Sequence, residues 1–168
     1  KRPEKVEKIL YLLEKYGSGS VLLAGGTDLN LMLKEGLKKP ELVIDIKGVK
    51  ALNRLSLDDG YLSVGSAVTF SELIASDVVK ERFPDLYEAS KTVASRGIRN
   101  RATLVGNLCS AVPSADSAPV LLNRGAVLEI AGPEWHRELP INEFLVGPRK
   151  SNLEKSEMVT GLRIPLIG

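Results

Sequence analysis

The chain has 168 residues, of which 43% are hydrophobic and 26% charged, and its 23 basic and 21 acidic side chains leave a net charge of +2. This composition is typical of a folded soluble domain, and we expect a cytoplasmic protein. The nearly neutral charge gives no support for nucleic acid as a partner, and no apolar run reaches the roughly 20 residues of a membrane span. A single Cys and a single His exclude a cysteine-rich zinc site or an iron–sulfur cluster held by this chain alone.

The first 50 or so residues predict a helix, a strand, a second helix and a second strand. Apolar residues at helical spacing predict a first helix that ends at Gly17, and the wholly apolar run 21–24 predicts a strand buried on both faces. Thr27 or Asp28 is expected to cap the second helix, and an apolar strand follows at 42–46. A strand, a helix and a strand within about 30 residues predict a βαβ unit with parallel strands.

From about residue 54 the pattern favours antiparallel strands and short helices. Residues 55–57 and 61–64 alternate around an Asp-Gly turn, which predicts a β-hairpin, and Thr69 with Glu72 forms a capping box that predicts a helix start. Further predicted elements are a helix from Pro84, an irregular polar stretch at 95–101, a short helix capped by Asp116, and strands at 126–130, 138–141 and 158–164. We therefore predict an α+β fold with a small βαβ lobe at about 1–52 packed closely on a larger, mainly antiparallel lobe at about 53–168.

The first candidate functional segment joins the first predicted strand to the second predicted helix. Its glycines permit a sharp turn and let a ligand approach the backbone, and the helix start offers free N–H groups that suit a phosphate. Thr27 adds a hydroxyl donor, whereas Asp28 is better suited to capping the helix or binding a hydroxyl group. The glycine spacing fits neither a P-loop nor a dinucleotide fingerprint, and a plain turn before a capped helix explains it equally well. The segment comprises Leu23, Ala24, Gly25, Gly26, Thr27, Asp28 and Leu29.

The second candidate segment is a glycine next to an asparagine in an apolar setting. It comprises Thr103, Leu104, Val105, Gly106 and Asn107, and Asp116 follows nine residues later. Backbone N–H groups and the side-chain amide could bind a ligand here, although an ordinary turn is the favoured interpretation of this segment on its own. Three preceding arginines, Arg96, Arg99 and Arg101, either neutralise phosphates or form a solvated edge, and the solvated edge is favoured.

The remaining reactive residue types do not form a catalytic set. Cys109 is expected to be a small buried apolar residue and His136 to lie at the surface. Glu154 and Glu157 lie in a polar stretch and are expected to be solvated. We therefore predict no catalytic residue and no metal site in this chain, so that any redox chemistry requires a cofactor.

Taken together, the two glycine segments resemble those of the FAD-binding domain of the molybdenum hydroxylases, which include carbon monoxide, aldehyde and xanthine dehydrogenases. The family's usual motifs are A-G-G-T-D-L, R-N-x-A-T-L-G-G-N-L and P-x-A-D-x-x-P, and this chain carries close matches to them in the same order. The matches begin at Ala24, Arg99 and Pro113, and the closing stretch 144–150 also fits. The resemblance covers essentially the whole chain.

This resemblance implies non-covalent FAD in a cleft between the two lobes of a fold of the vanillyl-alcohol-oxidase (PCMH) type. Residues 23–29 would wrap the diphosphate, residues 103–107 would form a second segment near the diphosphate and flavin, and Asp116 would bind a hydroxyl of the nucleotide half. The resemblance also implies a medium, flavoprotein subunit. It would take electrons from 2Fe–2S clusters on a small subunit, fed by a molybdenum cofactor on a large subunit, and pass them to NAD or another acceptor.

Two departures from the family pattern lead to an alternative function. Val105 stands where the family has glycine, and its Cβ would obstruct close approach of a ligand if φ at this position is positive. The chain is also expected to lack the family's C-terminal domain of about 100 residues. These departures motivate the alternative of a non-redox scaffold subunit with a vestigial flavin site. A stand-alone flavin oxidase is less favoured, because no His or Cys is placed for covalent flavin attachment.

Overall fold

The first lobe is built on two parallel strands lying side by side. The computed structural model describes residues 1–111 and 117–167. Strand β1 pairs in parallel with strand β2, so that Leu23 lies opposite Asp45, and the predicted βαβ unit is confirmed. The elements of this lobe are helix α1 (Val6–Tyr16), β1 (Ser20–Leu23), helix α2 (Leu29–Lys34) and β2 (Leu42–Asp45), with a short 3-10 turn at Gly17–Gly19.

Two details of the first lobe differ from the expectations. Strand β1 is half-buried rather than buried on both faces, because α1 packs against the sheet whereas α2 buries none of its residues. Neither Thr27 nor Asp28 caps α2 through its side chain. Asp28 already has helical backbone angles, with φ −91° and ψ −46°, whereas a capping side chain needs an extended backbone. The first helical hydrogen bond instead joins the Gly26 carbonyl to the Asn30 N–H at 2.9 Å.

A five-stranded antiparallel sheet forms the second lobe. Its strands lie in the order β3-β4-β9-β5-β6, and every neighbouring pair is antiparallel. Asp59 and Gly60 have φ of 50° and 77°, which is the left-handed turn geometry that the predicted Asp-Gly hairpin requires. The strands are β3 (Leu55–Asp58), β4 (Tyr61–Gly65), β5 (Val127–Ala131), β6 (His136–Pro140), β7 (Leu145–Gly147), β8 (Lys150–Ser151) and β9 (Met158–Pro165), and β7 pairs with β8 separately.

Short helices pack against one face of this sheet. The predicted capping box is confirmed, since the Thr69 hydroxyl accepts the Glu72 N–H and the Glu72 carboxylate accepts the Thr69 N–H. The stretch predicted to be irregular at 95–101 instead contains a helix, which the Ser95 side chain caps. The helices are α3 (Phe70–Ala75), α4 (Asp77–Arg82), α5 (Pro84–Thr92), α6 (Arg96–Arg99), α7 (Leu104–Cys109), α8 (Ser117–Asn123) and α9 (Ile141–Phe144), and 3-10 turns occupy Ile46–Gly48 and Lys50–Asn53.

Two apolar clusters hold the fold together, and one of them joins the lobes. The larger cluster lies between the sheet and the helices of the second lobe. The smaller one combines α1 and β2 residues such as Ile9 and Ile44 with Ala67, Ala131 and Met158 of the second lobe. Because the lobes share this core, they pack closely as expected, whereas the lobe boundary near residue 52 stays a prediction. Among residues 1–111 and 117–167, no helix is long and apolar enough to span a membrane.

Candidate functional site

The first glycine segment runs from the carboxyl end of β1 to the start of α2. Gly26 has φ +76°, a conformation that favours glycine and that turns the chain out of the strand. Among the described residues, the backbone N–H groups of 25–29 and the Thr27 hydroxyl have no hydrogen-bond acceptor. The segment therefore presents several unused donors at one end of the parallel strands, where ligands of α/β folds commonly bind.

The second segment is the start of a helix and not a loop, which corrects the expectation of a turn. Thr103 is the N-cap of α7, and its hydroxyl accepts the Gly106 N–H at 3.0 Å. Thr103 also forms an isolated antiparallel β-bridge with Thr69, which ties the start of α7 to the start of α3. The Asn107 side-chain oxygen accepts a hydrogen bond from the Ser117 hydroxyl at 2.9 Å. Thr103, Leu104 and Val105 are buried, and Gly106 and Asn107 are half-buried.

The fold packs the first segment against Arg101 and Ala102, the two residues that lead into the second segment. A Cβ added at Gly25 would overlap the carbonyl oxygen of Arg101 and would lie 2.9 Å from the Cα of Ala102. A Cβ added at Gly106 would lie 3.9 Å from the Cβ of Ala24. Gly25 is therefore required for the close approach of two backbones, in addition to any access that it gives to a ligand.

A charged pair below the first segment was missed by the sequence analysis. The Lys47 ammonium lies 2.8 Å from the Asp45 carboxylate and donates to the Ala24 carbonyl at 2.9 Å. Desolvation raises the pKa of Asp45, but the hydrogen bonds from Lys47 and the charges of Lys47 and Arg2 outweigh it, so the pKa lies below its usual value. The sequence did contain a signal for this pair. Asp45 lies at the carboxyl end of the second predicted strand, and the carboxyl ends of neighbouring parallel strands meet at one edge of a sheet.

The concern about Val105 does not hold in this structure. Val105 lies in the first turn of α7 and is absent from the residues with positive φ, so its Cβ is in an ordinary helical position. Its side chain is 3% exposed and belongs to the larger core cluster. The valine is thus part of the packing beneath the second segment and does not obstruct the backbone that faces the first.

Replacing Val105 with glycine should destabilise the protein by about 2 to 3 kcal/mol, because it leaves a core cavity and adds a glycine to a helix. Urea denaturation of the full-length protein would measure the change. Ile98→Val, at a residue 39% exposed in α6, is a control for a small change at an exposed site and should shift stability by less than about 0.5 kcal/mol. A Val105→Gly variant as stable as the wild type would contradict the structural role assigned to this side chain.

The remaining predicted binding residues are Asp116 and the three arginines before the second segment. Asp116 and the loop from Pro113 lie outside the described residues. Of the arginines, Arg99 donates to the carbonyls of Val93 and Ala94, while Arg96 and Arg101 are exposed. The favoured interpretation of a solvated edge therefore fits these arginines better than a phosphate site.

His136 lies at the surface as predicted, whereas Cys109 is only half-buried and one glutamate differs from the expectation. His136 is exposed, and Cys109 is half-buried with a thiol whose pKa burial raises to about 12. Such a thiol is not a nucleophile at neutral pH. Glu157, expected to be solvated, is instead 3% exposed and accepts hydrogen bonds from Trp135 and Arg137. Within the described parts of the chain, no group of three or more metal-binding side chains is found.

Comparison with known proteins identifies the family of this site. The profile of a family described as the FAD binding domain in molybdopterin dehydrogenase matches residues 1–167. The chain belongs to this family. The resemblance inferred from the glycine segments is thereby confirmed, as are the two-lobed α+β FAD-binding fold and FAD as the family's cofactor.

Individual members of the FAD-binding domain family match this chain along most of its length. The xanthine dehydrogenase FAD-binding subunit of Escherichia coli O157:H7 is 39% identical over 145 residues, which cover 86% of this chain and 50% of that protein. The carbon monoxide dehydrogenase medium chain of Hydrogenophaga pseudoflava is 31% identical over 163 residues, which cover 97% and 57%. The chain spans about half the length of these relatives.

A solved structure of the same family supports the fold directly. Carbon monoxide dehydrogenase from Hydrogenophaga pseudoflava lacking the Mo-pyranopterin moiety of its cofactor matches with a TM-score of 0.96 at 30% identity. The match covers 99% of this chain and 58% of that one. The fold of this chain, with its two lobes, is therefore shared with that structure.

Proposed function

We propose that this chain is the FAD-binding part of the flavoprotein subunit of a molybdenum hydroxylase-type dehydrogenase. In this role it takes electrons from iron–sulfur clusters on a small partner subunit and passes them to NAD or another acceptor. The observation that carries the proposal is the contact between the two family motifs, at Gly25 and Arg101, beside a run of unused backbone donors. Family membership supports FAD as the ligand of that site.

The residues around the contact fit a diphosphate well. The backbone N–H groups of 25–29 have no acceptor among the described residues, and an anion with several oxygens can satisfy them together. Gly26, with a φ of +76°, turns this run of donors out of the strand.

We assign the binding roles as follows. The peptide groups of the first segment and the Thr27 hydroxyl hold the diphosphate, and Leu23 and Leu29 flank that cradle at the strand end and the helix start. The second segment, at the start of α7, lies toward the flavin side, and Asp116 binds a hydroxyl of the nucleotide half. The residues of the proposed FAD site are Leu23, Ala24, Gly25, Gly26, Thr27, Asp28, Leu29, Thr103, Leu104, Val105, Gly106, Asn107 and Asp116.

This chain contributes binding and orientation and no acid–base chemistry. Bound FAD would supply the two-electron carrier that connects one-electron iron–sulfur centres with a hydride acceptor. Cys109 has a raised pKa and His136 is exposed, so neither residue has the setting of a nucleophile or a catalytic base. The organic substrate is oxidised at the molybdenum cofactor of a large partner subunit, and the chain itself makes no contact with that substrate.

The assembly follows from the kinds of relatives that match. Those relatives are described as medium chains or FAD-binding subunits, and these names support the proposal that a small iron–sulfur subunit and a large molybdenum subunit complete the enzyme. Isolation of the native complex and mass spectrometry of its subunits tests this assembly. Recovery of the chain only as a homo-oligomer without bound flavin would contradict it.

Binding of FAD to the full-length protein is the primary test of the proposed function. Titration of FAD should quench the fluorescence of the free flavin and leave a yellow protein after desalting. NADH should then reduce the bound flavin under anaerobic conditions if NAD is the acceptor. A protein that stays colourless after incubation with excess FAD would refute the proposal.

Replacing Thr27 with valine should weaken FAD binding about tenfold, because a hydrogen bond to a charged phosphate is lost. The thermal midpoint of the apoprotein should stay unchanged, since the Thr27 hydroxyl has no partner among the described residues. Thr92→Val, at an exposed position at the end of α5, is the matched control and should bind FAD like the wild type. Equal affinities of the two variants would show that Thr27 does not contact the cofactor.

A further inference from the structure

Lys47 lies where the second parallel strand meets the first glycine segment. Its ammonium lies 2.8 Å from Asp45 Oδ1 and donates to the Ala24 carbonyl at 2.9 Å. The same carboxylate oxygen accepts the backbone N–H of Lys47 at 3.0 Å. Asp45 therefore holds both ends of this lysine, and the lysine in turn holds the carbonyl of Ala24.

The backbone geometry makes this contact specific. Leu23 and Asp45 are directly opposite each other in the parallel register, so the residues that follow them leave the sheet together. A 3-10 turn at Ile46–Gly48 bends the chain after β2, and its side-chain cap is Asp45. Arg2 contributes a second, more distant cation, with its Nε 3.9 Å from the other carboxylate oxygen of Asp45.

The Ala24 carbonyl and the Gly25 N–H belong to one peptide unit. Because a peptide unit is planar and trans, its C=O and N–H point in opposite directions. An ammonium bound to the Ala24 carbonyl therefore also fixes the direction of the Gly25 N–H and polarises that donor. Gly25 in turn packs against the Arg101 carbonyl and Ala102, so this peptide lies between Lys47 and the residues that lead into the second segment.

We propose that Lys47 is a positioning residue for the cofactor, because it fixes the Ala24–Gly25 peptide so that the Gly25 N–H is aimed at the diphosphate. The inference rests on the proposed function and adds a residue outside both glycine motifs. Asp45 supports it by holding the ammonium in place. In an apolar or neutral variant, the Ala24–Gly25 peptide loses its anchor and has to be ordered by the cofactor itself, which weakens binding.

The test compares FAD binding by Lys47→Met and Lys47→Arg in the full-length protein. Lys47→Met should raise the dissociation constant about tenfold or more and change the visible circular dichroism of bound FAD, because the first segment is held differently. Lys47→Arg retains a cationic donor and should stay within about threefold of the wild type. Lys50→Met, at an exposed lysine three residues away, is the matched control and should match the wild type in both measurements.

The outcomes separate this inference from the proposed function. If the wild-type protein binds no FAD, the proposed function itself fails. If the wild type binds FAD while Lys47→Met and Lys50→Met both behave like it, only the role of Lys47 is overturned. A variant that loses affinity with an unchanged flavin spectrum and without rescue by arginine would also overturn it. If Lys47→Met does not fold, Asp45→Asn serves as the second variant, because it releases the ammonium from its carboxylate. It should give the same change in the flavin spectrum with a smaller loss of FAD affinity.

Discussion

Replacing Gly25 with alanine should lower the free energy of unfolding by about 3 kcal/mol or more and abolish FAD binding. The added methyl group would overlap the carbonyl oxygen of Arg101 and lie 2.9 Å from the Cα of Ala102. Both neighbours are backbone, so no side-chain rotation can relieve the overlap, and the two segments have to move apart. Because the proposed cofactor site lies along this contact, the displacement removes its geometry together with part of the stability.

Urea denaturation of the full-length apoprotein measures the first effect, and a fluorescence titration with FAD measures the second. Gly97→Ala is the matched control, because the nearest atom to a Cβ there is the Ser95 hydroxyl oxygen at 3.9 Å and the residue lies in α6. This control should change stability by no more than about 0.5 to 1 kcal/mol, in the stabilising direction that alanine gives in a helix. A Gly25→Ala variant that folds and binds FAD normally would show that the two segments do not approach so closely.

Replacing Glu157 with alanine should cost about 3 to 5 kcal/mol of stability, because it removes the buried partner of an ion pair. The Glu157 carboxylate accepts hydrogen bonds from Arg137 at 2.7 and 2.8 Å and from the Trp135 indole at 3.1 Å. It also accepts the Glu154 N–H at 2.9 Å. These bonds tie the β5–β6 hairpin to the chain that enters β9, so losing them loosens the edge of the sheet.

The stability that the Glu157 carboxylate contributes should be lost in acid. The side-chain hydrogen bond from Arg137 is the largest cause that lowers the pKa of Glu157 from 4.5 to about 2, against a desolvation that raises it. A carboxyl with a lowered folded-state pKa stabilises the protein above its unfolded pKa and loses that contribution as the pH falls toward the folded value. The stabilisation is therefore complete above about pH 5 and declines between about pH 4.5 and 2, by about 3 kcal/mol in total.

Urea denaturation of the wild type and of Glu157→Ala between pH 7 and pH 3 tests this dependence. The difference in stability between the two proteins should shrink as the pH is lowered. Glu154→Ala, at an exposed neighbouring glutamate, is the control and should cost less than about 0.5 kcal/mol at every pH. A difference that stays constant between pH 7 and pH 3 would contradict the lowered pKa of Glu157.

The local elements of the fold could be predicted from the sequence because each has its own short-range cause. The Asp59–Gly60 turn and the capping box at Thr69 depend on residues a few positions apart, and the βαβ unit follows from short apolar runs within about 30 residues; all are confirmed. Helix α6 and the helical form of the second segment were not predicted. Both are short, and a helix of about one turn has too few apolar residues to show a period.

In the candidate site, the residue types could be predicted from the sequence, whereas the contacts between distant residues could not. The two glycine segments could be singled out because their residue types suit a phosphate, and their joint presence indicated the family. The sequence did not indicate that Gly25 packs on the Arg101 backbone, nor that Lys47 reaches the Ala24 carbonyl. It also left Glu157 as a solvated residue, because its partners Trp135 and Arg137 come from another strand and the turn before it.

The sequence by itself determined the class of protein, the βαβ start, the hairpin and the residue types of the proposed cofactor site. These follow from composition, periodicity and motifs, which depend on the order and types of the residues and not on how they pack. Only the tertiary structure decided that Val105 is a core residue with ordinary helical geometry, and that the two glycine segments meet at Gly25. Backbone contacts between residues about 75 positions apart arise from packing of the lobes, and packing is a property of the folded chain that no local pattern encodes.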